Sequence, residues 1–242
     1  MLPKIVQPEY ELELPSTGKK IKYRPFVVRE EKILLLALET KDNTQITNAI
    51  KQILKNCIIT RGVKVEELPT FDIEYIFLNV RAKAVGESID LIVTCSDDGE
   101  TQVPVTIYID SIKVKKDENH SRDIHLGNDL MLRMKYPSLD EFIKTNFNFN
   151  TETNSTKNLE KSFDIISSCM DVIFKGEESW AAKDCTKKEL FDFIDSMDTK
   201  QFKMIENFFQ TMPVLSYTFT VTNPNTQKEN EVTLEGLTSF FT

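Results

Sequence analysis

Residues 88–95 and 101–109 are rich in β-formers and flank Ser96-Asp97-Asp98-Gly99-Glu100, and this arrangement limits the fold more than any other in the chain. Asp-Gly supplies the positive-φ position that a tight turn between antiparallel strands requires. A second such pattern lies near the end: residues 215–222, the turn-forming Asn223-Pro224-Asn225-Thr226-Gln227, then Glu231-Val232-Thr233-Leu234. Each hairpin follows stretches of helical periodicity. The expected fold is therefore α+β, with two mainly helical subdomains that each carry a β-hairpin. Seven glycines in 242 residues argue against phosphate-cradling loops and against repetitive β architectures.

The chain opens on another hairpin, because residues 10–14 and 21–24 alternate polar with apolar around Pro15-Ser16-Thr17-Gly18. Residues 28–39 are strong helix formers whose apolar side chains cover more than one face, which predicts a helix buried against several neighbours. Asn43 or Thr44 can cap a second helix with Ile46, Ile50, Ile53, Leu54 and Cys57 on one face. Residues 71–85 predict a third helix ending at Gly86, with strand as the competing reading. Residues 113–120 are polar and charged, residues 130–136 read as a strand, and Ser138-Leu139-Asp140-Glu141 has the spacing of a capping box. Residues 146–158 are rich in Asn and Thr, and predict a linker between a domain at 1–145 and a second at 159–242. Beyond it, Leu159, Phe163, Ile166, Met170 and Ile173 or Phe174 form one helical stripe. Thr186 opens a second helix through a capping box with Glu189, and Asp198 or Thr199 caps a third that bears Phe202, Ile205, Phe208, Phe209 and Met212.

Thirty Lys and Arg against 38 Asp and Glu give a formal charge of −8, and no basic stripe is present to neutralise phosphates, so nucleic-acid binding is not expected. The longest apolar run, residues 33–38, is far short of the roughly 20 residues of a membrane span. The N-terminal residues lack the apolar core of a signal peptide, and a protein retained where it is made is expected. Cys57, Cys95, Cys169 and Cys185 form no CxxC pair and read as buried thiols in a reducing compartment.

No nucleotide-binding, nucleophile-elbow or zinc-protease motif is present. The two histidines, His120 and His125, lie in a polar segment and read as solvated side chains rather than ligands. Asp192, Asp195 and Asp198 read as one hydrated helix face. Phe202, Phe208 and Phe209, with Met204 and Met212, read as core. The hairpin turns invite comparison with zinc knuckles, yet Cys95 is the single soft donor in Cys95-Ser96-Asp97-Asp98 and Thr222-Asn223-Pro224-Asn225. The pair is read as degenerate zinc-ribbon-like, without metal, and no cofactor is expected.

Candidate partner-binding residues are Asp98 and Gly99 in one turn, Asn223 and Pro224 in the other, and Leu237, Phe240 and Phe241 in the tail, which must either tuck back or dock on another protein.

Several stretches together resemble a known family. Pro8-Glu9-Tyr10-Glu11-Leu12, the segment at 16–26, Val28-Arg29-Glu30-Glu31-Lys32-Ile33-Leu34-Leu35-Leu36-Ala37 and Phe71-Asp72-Ile73-Glu74-Tyr75-Ile76-Phe77-Leu78 are similar to the opening half of baseplate hub subunits from contractile-tailed phages of the T-even type. Arg81-Ala82-Lys83-Ala84-Val85-Gly86-Glu87, Tyr136-Pro137-Ser138-Leu139 and Glu229-Asn230-Glu231-Val232-Thr233-Leu234-Glu235-Gly236-Leu237, with Phe240-Phe241, continue the likeness to the end. The resemblance implies a non-enzymatic virion or assembly protein, made in the infected cell's cytoplasm and acting by contact with other hub and tail proteins. Some members of that family carry cysteine pairs in the hairpin turns. This chain departs there, so zinc is not carried over.

Within the family reading, a hub component retained in the tail competes with a transient assembly chaperone that binds hub or tape-measure proteins. Two rivals from other classes are a degenerate zinc-ribbon regulator, which the −8 charge opposes, and an enzyme using acidic residues across the subdomain gap, which the missing motifs oppose.

Overall fold

The computed structural model describes residues 3, 5–138, 141, 156–236 and 239. In chain order the elements are β1 (Tyr10–Glu13), β2 (Lys20–Tyr23), α1 (Val28–Glu39), α2 (Asn43–Cys57), α3 (Thr70–Val85), β3 (Ser88–Thr94), β4 (Gln102–Tyr108), β5 (Lys113–Lys115), β6 (Asp123–Gly127) and β7 (Leu130–Met134). There follow α4 (Thr156–Cys169), β8 (Met170–Lys175), β9 (Glu178–Ala181), α5 (Lys187–Asp195), α6 (Thr199–Thr211), β10 (Val214–Thr222) and β11 (Glu229–Glu235). The fold is α+β, with every strand pair antiparallel among the described residues.

Contacts group the chain into two compact units, residues 1–115 with 213–242, and residues 116–212. The expected linker at 146–158 falls on residues 146–155, outside the described set, and on the first turn of α4.

The first unit is built around α3. Phe71, Ile73, Ile76, Phe77, Leu78 and Val80 are all buried, so this helix is apolar all round and has no clear stripe. That is why its sequence also resembles a strand. Gly86, at φ 148°, ends it. Near its start, the fully buried Asp72 accepts hydrogen bonds from the Ser16 N–H (3.0 Å) and from the Ser16 hydroxyl, fastening the β1–β2 turn to the helix. α2 begins one residue earlier than expected: Asp42, not Asn43 or Thr44, is the cap, with Oδ1 accepting from the N–H of Thr44 at 2.8 Å.

The expectation for α1 is corrected. This helix packs on α2 through the face that holds Glu30 and Ala37, whereas Leu35 and Leu36 are each 55 % exposed and Val28 is 79 % exposed. Among the described residues only the Glu30 and Ala37 face is buried, so the apolar side chains on the other faces stay exposed. Glu30 is buried beneath the helix, where it accepts from Arg24 Nη2 (3.1 Å), Arg29 Nη2 (2.9 Å) and the Val27 N–H (3.0 Å). Burial opposes its charge, but the Arg24, Val27 and Arg29 hydrogen bonds prevail and hold its pKa at about 2.

The polar segment at 113–120 contains β5, which pairs with β10 (Leu215↔Val114). The terminal hairpin therefore joins a three-stranded sheet in the order β11-β10-β5.

The second unit holds the sheet β6-β7-β8-β9 and the helices α4, α5 and α6 around Leu132, Met134, Ile166, Cys169, Ile205 and Phe208. The helical stripe expected from Leu159 through Met170 to Ile173 or Phe174 is corrected: α4 stops at Cys169, and Met170–Lys175 is strand β8. Val172, Ile173 and Phe174 are β-branched or aromatic and pair with both β7 and β9, which outweighs the helical spacing. Both capping predictions match this unit. Thr186 and Glu189 bond reciprocally, and Asp198 Oδ1 accepts from the N–H of Lys200 (2.7 Å) and of Gln201 (2.8 Å). Ser138 and Glu141 also bond reciprocally, at 2.8 and 3.3 Å.

Candidate docking site at two interlocked hairpin turns

In the first unit the turns of β3–β4 and β10–β11 meet. Each is built by an Asx residue that accepts from backbone two and three residues on. Asp98 Oδ1 accepts from the N–H of Glu100 (3.1 Å) and Thr101 (3.0 Å), and Asn223 Oδ1 accepts from the N–H of Asn225 (2.8 Å) and Thr226 (3.3 Å). Gly99, at φ 70°, closes the first turn with its N–H on Cys95 O.

Side chains then cross between the hairpins. Asn223 Nδ2 donates to Asp97 Oδ1 (2.8 Å) and to Asp98 Oδ2 (2.9 Å), and the Thr226 hydroxyl donates to Asp97. Asn225 Nδ2 donates to Thr101 Oγ1 at 2.9 Å. From the other side, Asn230 Oδ1 accepts from the Ser96 hydroxyl and from the Asp97 N–H, both at 2.9 Å. Beneath this network Val93, Cys95 and Val221 are buried, with Val103, Val105, Phe219 and Val232 packed against them. Apolar contact holds the hairpin stems together, and directional bonds set their register at the tips.

Hydrogen bonds hold both carboxyls below the usual range: those from Thr226 and Asn223 lead for Asp97, and those from Thr101 and Asn223 lead for Asp98. The Cys95 thiol is pushed up, first by burial and then by the Asp97 and Asp98 charges. These carboxylates are acceptors already in use and the thiol is protonated at neutral pH. The arrangement provides neither a base nor a nucleophile. Among the described residues no group of three or more His, Cys, Asp or Glu could hold a metal ion.

Of the residues singled out in the sequence, Asp98 and Asn223 are brought into direct contact, Gly99 and Pro224 are exposed at the two tips, and Asn223 itself is buried. Leu237, Phe240 and Phe241 lie outside the described residues. Ser96, Asp97, Thr101, Asn225, Thr226 and Asn230 were missed. A signal was present for Asn230, which occupies the apolar phase of Asn230-Glu231-Val232-Thr233-Leu234, where an amide must find buried partners.

The other candidates are placed as follows. His120 corrects its expectation: it is buried, stacks on Tyr136 and contacts Phe208. Thr211 Oγ1 already donates to Asn207 O (2.7 Å), so His120 Nδ1 carries the proton shared with Thr211 (2.9 Å), and Nε2 accepts from the Tyr136 hydroxyl (3.0 Å). His125 is exposed on β6. Asp192 and Asp195 are exposed on α5, and Asp198 is the cap of α6. Phe208 and Phe209 are buried in the core of the second unit, while Met204 is 46 % exposed.

The sequence profile of a family described as T4 bacteriophage base plate protein matches residues 7–242. The chain belongs to that family. No curated protein and no solved structure matches it. Membership makes this a T4-type phage baseplate protein with a structural or assembly role, whose partners are other baseplate proteins and whose place is the virion tail. Among the described residues no helix is long and apolar enough to cross a membrane.

Proposed function

We propose that this baseplate protein is a hub component that stays in the finished contractile tail and works by docking, without a reacting centre. It is made in the host cytoplasm and seats its two hairpin tips, at Asp98-Gly99 and Asn223-Pro224, together with the tail residues Leu237, Phe240 and Phe241, against neighbouring hub and tail chains. The observation that supports docking over chemistry is the interlocked pair of turns, in which the polar side chains at the crossing are spent on holding two hairpins rigid. A rigid projection loses little entropy on binding, which favours it as a contact element.

Mass spectrometry of purified tails tests retention. A hub component is found there in stoichiometric amount, and a chaperone for hub or tape-measure proteins is absent. Truncation after Gly236 tests the tail residues: the shortened chain folds but fails to enter the hub. Normal assembly of the truncated chain overturns that role.

A further inference from the structure

We infer that the outer face of α1 is a seam on which a second copy of this chain pairs, helix against antiparallel helix. Exposure, spacing and charge all bear on this. Val28, Lys32, Leu35 and Glu39 follow one another at four- and three-residue steps, so they share one stripe, opposite the buried Glu30 and Ala37. Leu36 and Leu38 flank the stripe, exposed by 55 % and 38 %, beside Leu35. Three exposed leucines and a valine on a helix of three turns form an apolar surface that no other described residue covers.

The charges select the occupant. Lys32 and Glu39 stand seven residues apart, about 10 Å along the axis, and the midpoint between them falls between Leu35 and Leu36. Neither takes part in a salt bridge among the described residues. A twofold axis through that midpoint sets Lys32 of one copy against Glu39 of the other, and Glu39 against Lys32. Leu35 then meets Leu36, and Glu31 meets Thr40. Every charge on the stripe finds its opposite, as a self-complementary twofold interface requires. A parallel pairing would set Lys32 on Lys32 and Glu39 on Glu39, so the same two residues also choose the orientation. Burial of the leucines supplies the attraction, and the exposed ion pairs supply the register.

Sedimentation equilibrium on the full chain tests this, with circular dichroism to confirm that each variant is folded. All substitutions fall on exposed positions. Wild type dimerises with a dissociation constant in the micromolar range. Lys32→Glu and Glu39→Lys each weaken self-association about tenfold or more, because both symmetric pairs become repulsive. A 1:1 mixture of those two variants restores dimers, since each chain then meets the opposite sign twice, and the double variant Lys32→Glu/Glu39→Lys also dimerises. Leu35→Glu abolishes dimers in every combination. A wild type that stays monomeric up to about 100 µM overturns the inference and leaves the face to a different baseplate chain. A dimer indifferent to the charge reversals overturns it as well. Either failure leaves the retained-subunit reading standing, because that reading is decided on purified tails.

Discussion

Asn230→Ala is the substitution that bears most directly on the interlocked turns. Asn230 is 3 % exposed, and its Oδ1 is the acceptor for both the Ser96 hydroxyl and the Asp97 N–H at 2.9 Å. Its Nδ2 also donates to Lys228 O at 3.2 Å. Alanine removes two bonds between the hairpins and one within β10–β11, and leaves the Ser96 hydroxyl and the Asp97 N–H without their acceptor, while Lys228 O keeps the bond it accepts from the Asn223 N–H. Each net bond is worth about 1 kcal/mol, and water entering the vacated space recovers part of the loss, so an opening free energy lower by about 2–3 kcal/mol is expected. With two compact units, a single unfolding midpoint is a poor readout. Site-resolved hydrogen exchange is the appropriate assay: the amides of Cys95, Asp97 and Gly99 should exchange about 30- to 150-fold faster, while those of β6–β9 stay unchanged. Asn230→Asp supplies the chemical control. Ionised, it keeps the acceptor but turns a second carboxylate oxygen on Lys228 O. Protonated, it can again donate there, so its exchange rates should approach wild type as the pH is lowered to about 4. Less than about a threefold change in the alanine variant, or no pH dependence in the aspartate variant, refutes the account of these turns.

Glu30 is held at about pKa 2 and so binds fewer protons than in the unfolded chain, where its value is near 4.5. Its contribution is complete above about pH 5 and is lost as the pH falls towards 2, so Glu30→Gln should lower stability at pH 7 and flatten the acid limb of a urea-unfolding series. His120 has its pKa lowered, by burial first and then by the Lys116 charge, against the weaker opposing effect of Asp117. The unfolded chain binds more protons below about pH 6.5, and the second unit should lose stability as the pH falls through that value, a slope that His120→Gln removes when followed by Trp180 fluorescence. Gly99→Ala places a side chain at φ 70° with no neighbouring atom within 4 Å. It should cost about 1 kcal/mol from backbone strain alone, and Gly99→Asn less, as read by exchange at Cys95 and Thr101.

In both units, features set by neighbouring residues were legible, and features set by long-range pairing were not. The Asp98-Gly99 turn, the Thr186–Glu189 and Asp198–Gln201 caps and the Gly86 stop each depend on neighbours within four residues, so each was readable from the chain alone. β5 has three residues, Lys113–Lys115, and exists because β10 lies beside it, a partner about 100 residues away. Met170–Phe174 continues the spacing of α4 but is claimed by β7 and β9 on either side. His120 looked solvated because its neighbours in sequence are polar, while its partners Thr211 and Tyr136 come from distant segments. At the candidate site the turns were visible separately, and the contact between them was not, since Asn223 and Asp97 are 126 residues apart.

A reconstruction of the intact tail tests the central claim most directly. This chain should occupy density in the baseplate hub, with the Asp98-Gly99 and Asn223-Pro224 tips and the residues after Gly236 in contact with neighbouring chains. A complete, infectious tail whose hub has no density for it, or one in which both hairpin tips face solvent, contradicts the account.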